Sequence, residues 1–132
     1  MQMAGSGKHD NKKSTEAGRY GEELAATHLC NKGYRILERN WHDRHREIDI
    51  IAVKGDTLVF VEVKTRRSDS PELPFESITP RKQRLLVEAA HCYIEKTGID
   101  LKARFDVISV ICHPNRNEID HIEDAIYPDI LS

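Results

Sequence analysis

The feature that most constrains this chain is a pair of β-prone runs around a two-residue turn signal. Glu47-Ile48-Asp49-Ile50-Ile51-Ala52-Val53-Lys54 and Thr57-Leu58-Val59-Phe60-Val61-Glu62-Val63-Lys64-Thr65 are rich in β-branched residues, with Gly55-Asp56 between them. A two-residue loop predicts Lys54 opposite Thr57 and Val53 opposite Leu58, and counting back sets Asp49 against Glu62 and Glu47 against Lys64. A three-residue loop would shift the register by one and spoil the face match, whereas a four-residue loop over 54–57 would preserve it. Side chains two apart share a face. One face then carries Asp49, Ile51, Val53, Leu58, Phe60, Glu62 and Lys64, and the other carries Ile48, Ile50, Ala52, Val59, Val61 and Val63.

Two carboxylates with Cβ atoms roughly 5 Å apart destabilise a sheet unless something cationic lies between them. A hard divalent cation with oxygen ligands, Mg²⁺ above all, meets that need. The plainer reading is a half-exposed hairpin in which Lys64 pairs with Glu47 and, diagonally, with Asp49. Against it, both strands are otherwise almost continuously apolar, as strands covered on both faces are, and carboxylates in such strands are not surface decoration.

With 132 residues the chain supports one core and not two. A net charge of -2 conceals many charges of both signs and neither favours nor excludes nucleic acid. No apolar run is long enough to span a bilayer and no basic-then-apolar segment opens the chain, so the expectation is a soluble, cytoplasmic protein without a membrane partner. Cys30, Cys92 and Cys112 form no disulfide framework, and His91-Cys92 and Cys112-His113 lack the spacing of a zinc site, so buried thiols are expected. His28 and His121 read as structural or surface residues, and His42 and His45 as weak candidates for phosphate contact.

Residues 1–13 are polar and aperiodic and read as a disordered tail. From Thr15 to about Lys32, Ala17, Tyr20, Gly21, Leu24, Ala25 and His28 or Leu29 recur at helical spacing, with Ser14 or Thr15 to cap the start and Gly33 to stop it. Tyr34 to about Asp43 makes a first strand, with Tyr34 and Trp41 expected in the core, and 68–79 is a loop. A second helix has Thr79 as N-cap and Pro80 at its first position, and it ends at Gly98. Arg104 to Ile111 and about Glu118 to Ile122 are the last strands, joined through Asn115-Arg116-Asn117. The order helix, three strands, helix, two strands predicts an α/β sandwich around a mixed sheet of five strands.

Arg81, Lys82 and Arg84 crowd the first turn of the second helix, where the helix dipole favours acids. With Arg66 and Arg67, just after the Glu-x-Lys triplet, they form a basic set suited to a phosphate backbone. Taken alone, the set reads as a solvated surface partnered by Glu72, Glu76 and Glu88. Beside paired carboxylates, it reads as a nucleic-acid contact.

Gly21-Glu22-Glu23-Leu24-Ala25-Ala26, Gly33-Tyr34-Arg35-Ile36-Leu37, Asn40, Glu47-Ile48-Asp49-Ile50-Ile51-Ala52, Phe60-Val61-Glu62-Val63-Lys64-Thr65-Arg66 and Arg104-Phe105-Asp106-Val107 together closely resemble the YraN family of small bacterial proteins. The resemblance covers nearly all of 15–125 and differs at Arg46, where the family usually has glycine. It implies a restriction-endonuclease-like, Holliday junction resolvase-like α/β/α sandwich, with 14–132 as a single domain. It further implies that Asp49 and Glu62 hold Mg²⁺ or Mn²⁺, with the Val63 carbonyl a further ligand and Glu22 completing the shell from the first helix, directly or through water. Lys64 would position or deprotonate the attacking water or stabilise transition-state charge, and Glu47 would be a further ligand or the partner of Lys64.

The expected function is therefore a metal-dependent endonuclease hydrolysing DNA phosphodiester bonds, with branched or junction DNA as a candidate substrate. The alternative is a nucleic-acid-binding or partner-binding module that keeps the fold without cutting. Paired acids that would repel DNA argue against a pure binder. Junction cleavage would favour a homodimer with two active sites, although no interface is legible in the sequence.

Overall fold

The turn at Gly55-Asp56 forms as its composition requires. Gly55 takes φ of 61°, in the left-handed region that glycine tolerates, and Lys54 pairs with Thr57 across it. The computed structural model describes residues 16–71 and 78–126. The expected tail over 1–13, the caps at Ser14 and Thr15, the middle of the 68–79 loop with Glu72 and Glu76, and the final segment lie outside the described residues.

The elements follow in the order α1 (Glu16–Asn31), β1 (Arg35–Asp43), β2 (Arg46–Lys54), β3 (Thr57–Arg67), α2 (Pro80–Thr97), β4 (Lys102–Cys112) and β5 (Asn117–Ile122). The five strands form one sheet in sequence order. β3 and β4 are parallel, joined by the α2 crossover, and the other neighbours are antiparallel. This is the mixed α/β sandwich expected from the order of elements. The boundaries of α2 have local causes. Thr79 accepts a hydrogen bond from the Lys82 amide (3.1 Å), Pro80 starts the helix, and Gly98 closes it with φ of 71° while its N–H donates to the Ile94 carbonyl.

Each face of the sheet carries its own core. Ile50, Ala52, Val59, Val61 and Val63 pack with Ala25, Ala26 and Leu29 of α1 and with Tyr34, whereas Ile51, Leu58 and Phe60 pack with Leu86, Ala89, Ala90 and Tyr93 of α2. Of the two aromatic residues expected in the core, Tyr34 is buried there and Trp41 is partly buried, packed against the second cluster edge-on to Tyr93.

Three expectations are corrected. First, Ile48 lies in the α2-side cluster and not with Ile50. The β2–β3 pairing runs from the turn to Ile50↔Val61 and stops one pair short of Asp49 and Glu62. On the other flank, Asn40 has φ of 53° between the pairs Arg39↔Ile50 and Trp41↔Ile48. With the pleat interrupted on both sides of Asp49, strict alternation no longer holds there.

Second, the buried stripe of α1 is Gly18, Gly21, Glu22, Ala25, Ala26 and Leu29, while Tyr20 is half exposed. Of the spacing read from the sequence, Gly21, Ala25 and Leu29 lie on this stripe and Leu24 at its edge, whereas Ala17 and Tyr20 are exposed and Gly18, Glu22 and Ala26 complete it. Third, the thiols are not buried, since Cys30 is exposed and Cys92 and Cys112 are half-buried.

Arg46, at the place where glycine was expected, pairs with Asp43 in regular strand geometry. The positive φ of that turn falls at Arg44 (61°), so a side chain at 46 meets no backbone penalty.

Candidate functional site

Three carboxylates are buried at the end of the hairpin away from its turn. Glu22 is 3% exposed, Asp49 1% and Glu62 4%. An ionised carboxylate removed from water needs hydrogen-bond donors or cations around it. Asp49 obtains one donor where the ladder ends, its Oδ2 accepting the Val63 N–H at 2.8 Å, so a side chain replaces the backbone partner that β2 no longer supplies. Glu62 faces α2, where Lys82 Nζ lies 3.3 Å from its Oε2. Lys64 continues β3 in register with Ser109 of β4 and is half-buried.

Glu22 reaches this end of the sheet through a close approach of α1 to β3. A Cβ on Gly21 would overlap Thr65 Oγ1 and meet its Cβ at 2.8 Å and Cγ2 at 2.9 Å. Only glycine lets the helix lie so near the strand that carries Glu62 and Lys64.

The candidate residues divide between clefts. Glu62 lines one with His45, Arg46, Glu47, Lys82, Leu85 and Leu86. Glu22 lines another with Arg19, Glu23, Arg39 and Asn40. Arg66 and Arg67 line a third with Asp69, Ser70 and Pro71. Arg67 forks onto Asp69 with contacts of 3.1 and 2.6 Å, and Arg81 and Arg84 project from the exposed first turn of α2, which carries no acid. His45 lies 3.5 Å from Glu88, which Arg46 also approaches at 3.4 Å. His42 hydrogen-bonds the Asn40 carbonyl.

The donor chemistry suits a hard divalent cation, because Asp49 and Glu62 supply carboxylate oxygens and Val63 a carbonyl. Among the described residues, no three His, Cys, Asp or Glu side chains are grouped closely enough to hold a metal ion by themselves. From the described residues, a cation held here would take two carboxylates, with backbone, water or phosphate oxygens filling its remaining positions.

A second buried polar group was missed by sequence reasoning. Asp106 is fully buried and accepts from Arg104 Nε and Nη2 (both 2.9 Å) and from the Asp124 amide (3.0 Å), with His121 Nε2 at 2.8 Å. Arg104 also donates to Tyr34 Oη (2.7 Å). Burial alone would push the Asp106 carboxyl up, but the hydrogen bonds from His121, Arg104 and the Asp124 amide outweigh it and hold the carboxyl below its ordinary value. The His28 ring stands edge-on to His121 at 5.3 Å, and burial first, then His121 and Lys32, lowers its pKa. This group ties β4, β5 and Tyr34, just before β1, together beneath α1. The one local signal was Arg104-x-Asp106, a charge pair at strand spacing, which by itself says nothing of burial.

Comparison with known proteins adds family but no activity. A family model described as uncharacterised protein family UPF0102 matches residues 21–110. A UPF0102 protein of Chlorobium chlorochromatii is 48% identical over 118 residues, covering 85% of this chain and 92% of the relative. One from Parabacteroides distasonis is 44% identical over 115 residues, covering 87% and 95%. Another from Geobacter sulfurreducens is 46% identical over 123 residues, covering 92% and 94%.

Proposed function

This chain belongs to the uncharacterised family UPF0102, and from that premise we propose that it is a metal-dependent endonuclease that hydrolyses DNA phosphodiester bonds, with branched or junction DNA as a candidate substrate. The observation that carries the reading is the burial of Asp49 and Glu62 at the point where β2 and β3 leave their ladder, with an exposed basic helix turn alongside. Burying two acids at a strand end costs stability, and a structural role would be served better by apolar residues.

Asp49, Glu62 and the Val63 carbonyl would hold Mg²⁺ or Mn²⁺, with Glu22 acting from α1 through water. When bound, such a cation supplies an activated water and neutralises the scissile phosphate. Lys64 orients that water and meets the charge developing on the phosphate oxygens. Arg81, Lys82 and Arg84, with Arg66 and Arg67 farther along β3, bind the backbone on either side. The three free cysteines suit a cytoplasmic setting, and no helix among the described residues is long and apolar enough to cross a membrane.

The second reading is a nucleic-acid-binding or partner-binding module without cleavage. It is favoured by Lys82 standing on Glu62. The test incubates purified protein and Mg²⁺ or Mn²⁺ with linear, supercoiled, single-stranded, flapped and four-way-junction DNA. Glu62→Gln and Asp49→Asn should fold normally and abolish cleavage and divalent-ion binding. If nothing is cut, or Glu62→Gln cuts as well as the native chain, the nuclease reading is wrong. Binding without cleavage would support the module.

A further inference from the structure

We propose that Lys82 is the resident counter-cation of Glu62, and that its ammonium leaves the carboxylate for a phosphate oxygen when a divalent cation is bound, coupling cation loading to nucleic-acid affinity. The inference rests on Asp49 and Glu62 being the cation ligands, and it assigns Lys82 a role distinct from that of its basic neighbours.

Glu62 is almost wholly buried, with its side chain 5% exposed, and Lys82 Nζ stands 3.3 Å from Oε2. The lysine side chain is 44% exposed, so it reaches inward from solvent. Its backbone is anchored, because its N–H donates to the Thr79 cap. Only the flexible four-carbon stem needs to move for the ammonium to change partner. The first turn of α2 has no acid, and a cation there opposes the helix dipole. Glu62 is therefore what draws the Lys82 ammonium inward.

An ammonium and a divalent cation compete for the same carboxylate oxygens. Once released, the ammonium stays tethered beside Arg81 and Arg84, the exposed bases of the same turn, where a phosphate backbone is the natural partner. Those two arginines contribute to DNA binding whether or not a cation is present. Lys82 contributes only when Glu62 no longer holds it.

The test measures Mn²⁺ affinity by titration calorimetry, and DNA affinity by fluorescence anisotropy with and without Ca²⁺, for the native chain, Lys82→Met and Lys82→Arg. A half-exposed ion pair of this kind corresponds to roughly 1.5- to 5-fold in an equilibrium constant. Lys82→Met should therefore bind Mn²⁺ about that much more tightly, and it should lose the gain in DNA affinity that Ca²⁺ gives the native chain. Lys82→Arg should restore both behaviours. Unchanged or weaker Mn²⁺ binding by Lys82→Met, or an undiminished Ca²⁺ gain, overturns the proposal while leaving the assignment of Asp49 and Glu62 standing. If the native chain binds no Mn²⁺, that assignment fails and the coupling with it, an outcome visible in the native arm alone.

Discussion

Replacing Gly21 by alanine sets two effects of opposite sign against each other, and the contact with Thr65 decides between them. In an exposed helix interior, Gly→Ala stabilises by about 1 kcal/mol, because alanine loses less backbone freedom. Here the added methyl would overlap Thr65 Oγ1 and meet its Cβ at 2.8 Å and Cγ2 at 2.9 Å. Rotating Thr65 moves the oxygen and the methyl but not its Cβ, so no rotamer clears the space and α1 has to retreat from β3. Overpacking of this kind costs about 1–3 kcal/mol, and an overlap this deep belongs at the upper end of that range. The net expectation is a loss of about 2 kcal/mol, a fall in melting temperature of about 6–12 °C for a domain of this size. Urea and thermal unfolding of Gly21→Ala, Thr65→Ala and the double variant make the measurement. Thr65→Ala removes Oγ1 and Cγ2, so the penalty of Gly21→Ala should shrink by more than half in that background. If Gly21→Ala is as stable as the native chain or more so, or if its penalty is the same with and without Thr65→Ala, then the helix does not rest on Thr65 and the positioning of Glu22 needs another cause.

Asp106→Ala strands the Arg104 and His121 side chains and should cost about 3–5 kcal/mol in urea unfolding, with a loss under about 1 kcal/mol showing that the group is not a structural unit. Stability should fall on acidification in two stages. His28 has its pKa lowered in the folded chain by burial, so its contribution is complete above the ordinary imidazole value of 6.5 and is lost as the pH drops below it; His28→Gln should flatten that stage of a urea-midpoint series. Asp106 is held below the ordinary carboxyl value of 3.8, so its contribution disappears only as the pH falls from about 4 downward. Arg81→Ala and Arg84→Ala should weaken DNA binding uniformly across sequences, each lowering the slope of log affinity against log salt by about one unit, whereas an unchanged slope would remove these residues from the interface.

What could be read without the fold was local in origin. The hairpin register from Lys54↔Thr57 to Ile50↔Val61 follows from one turn and a period of two, and the limits of α2 follow from Thr79, Pro80 and Gly98, whose effects act within a few residues. The burial of Asp49 and Glu62 was legible because the residues around them are apolar on both strand faces. Tertiary contacts decided the rest. Alternation failed at Ile48 because β1 and β3 both depart from regular pairing beside Asp49, and on α1 the close approach of Gly21 to Thr65 goes with Gly18 and Glu22 turned inward while Ala17 and Tyr20 stay outside. Asp106 became a buried hub through Arg104, itself bonded to Tyr34 just before β1, and through His121 and Asp124, brought in from β5 and from the chain beyond it. Lys82 came to Glu62 because the α2 crossover lays the start of that helix over the β3 end. A sequence period places a side chain on a face, whereas the distance between two charges depends on how closely elements far apart in the chain are packed.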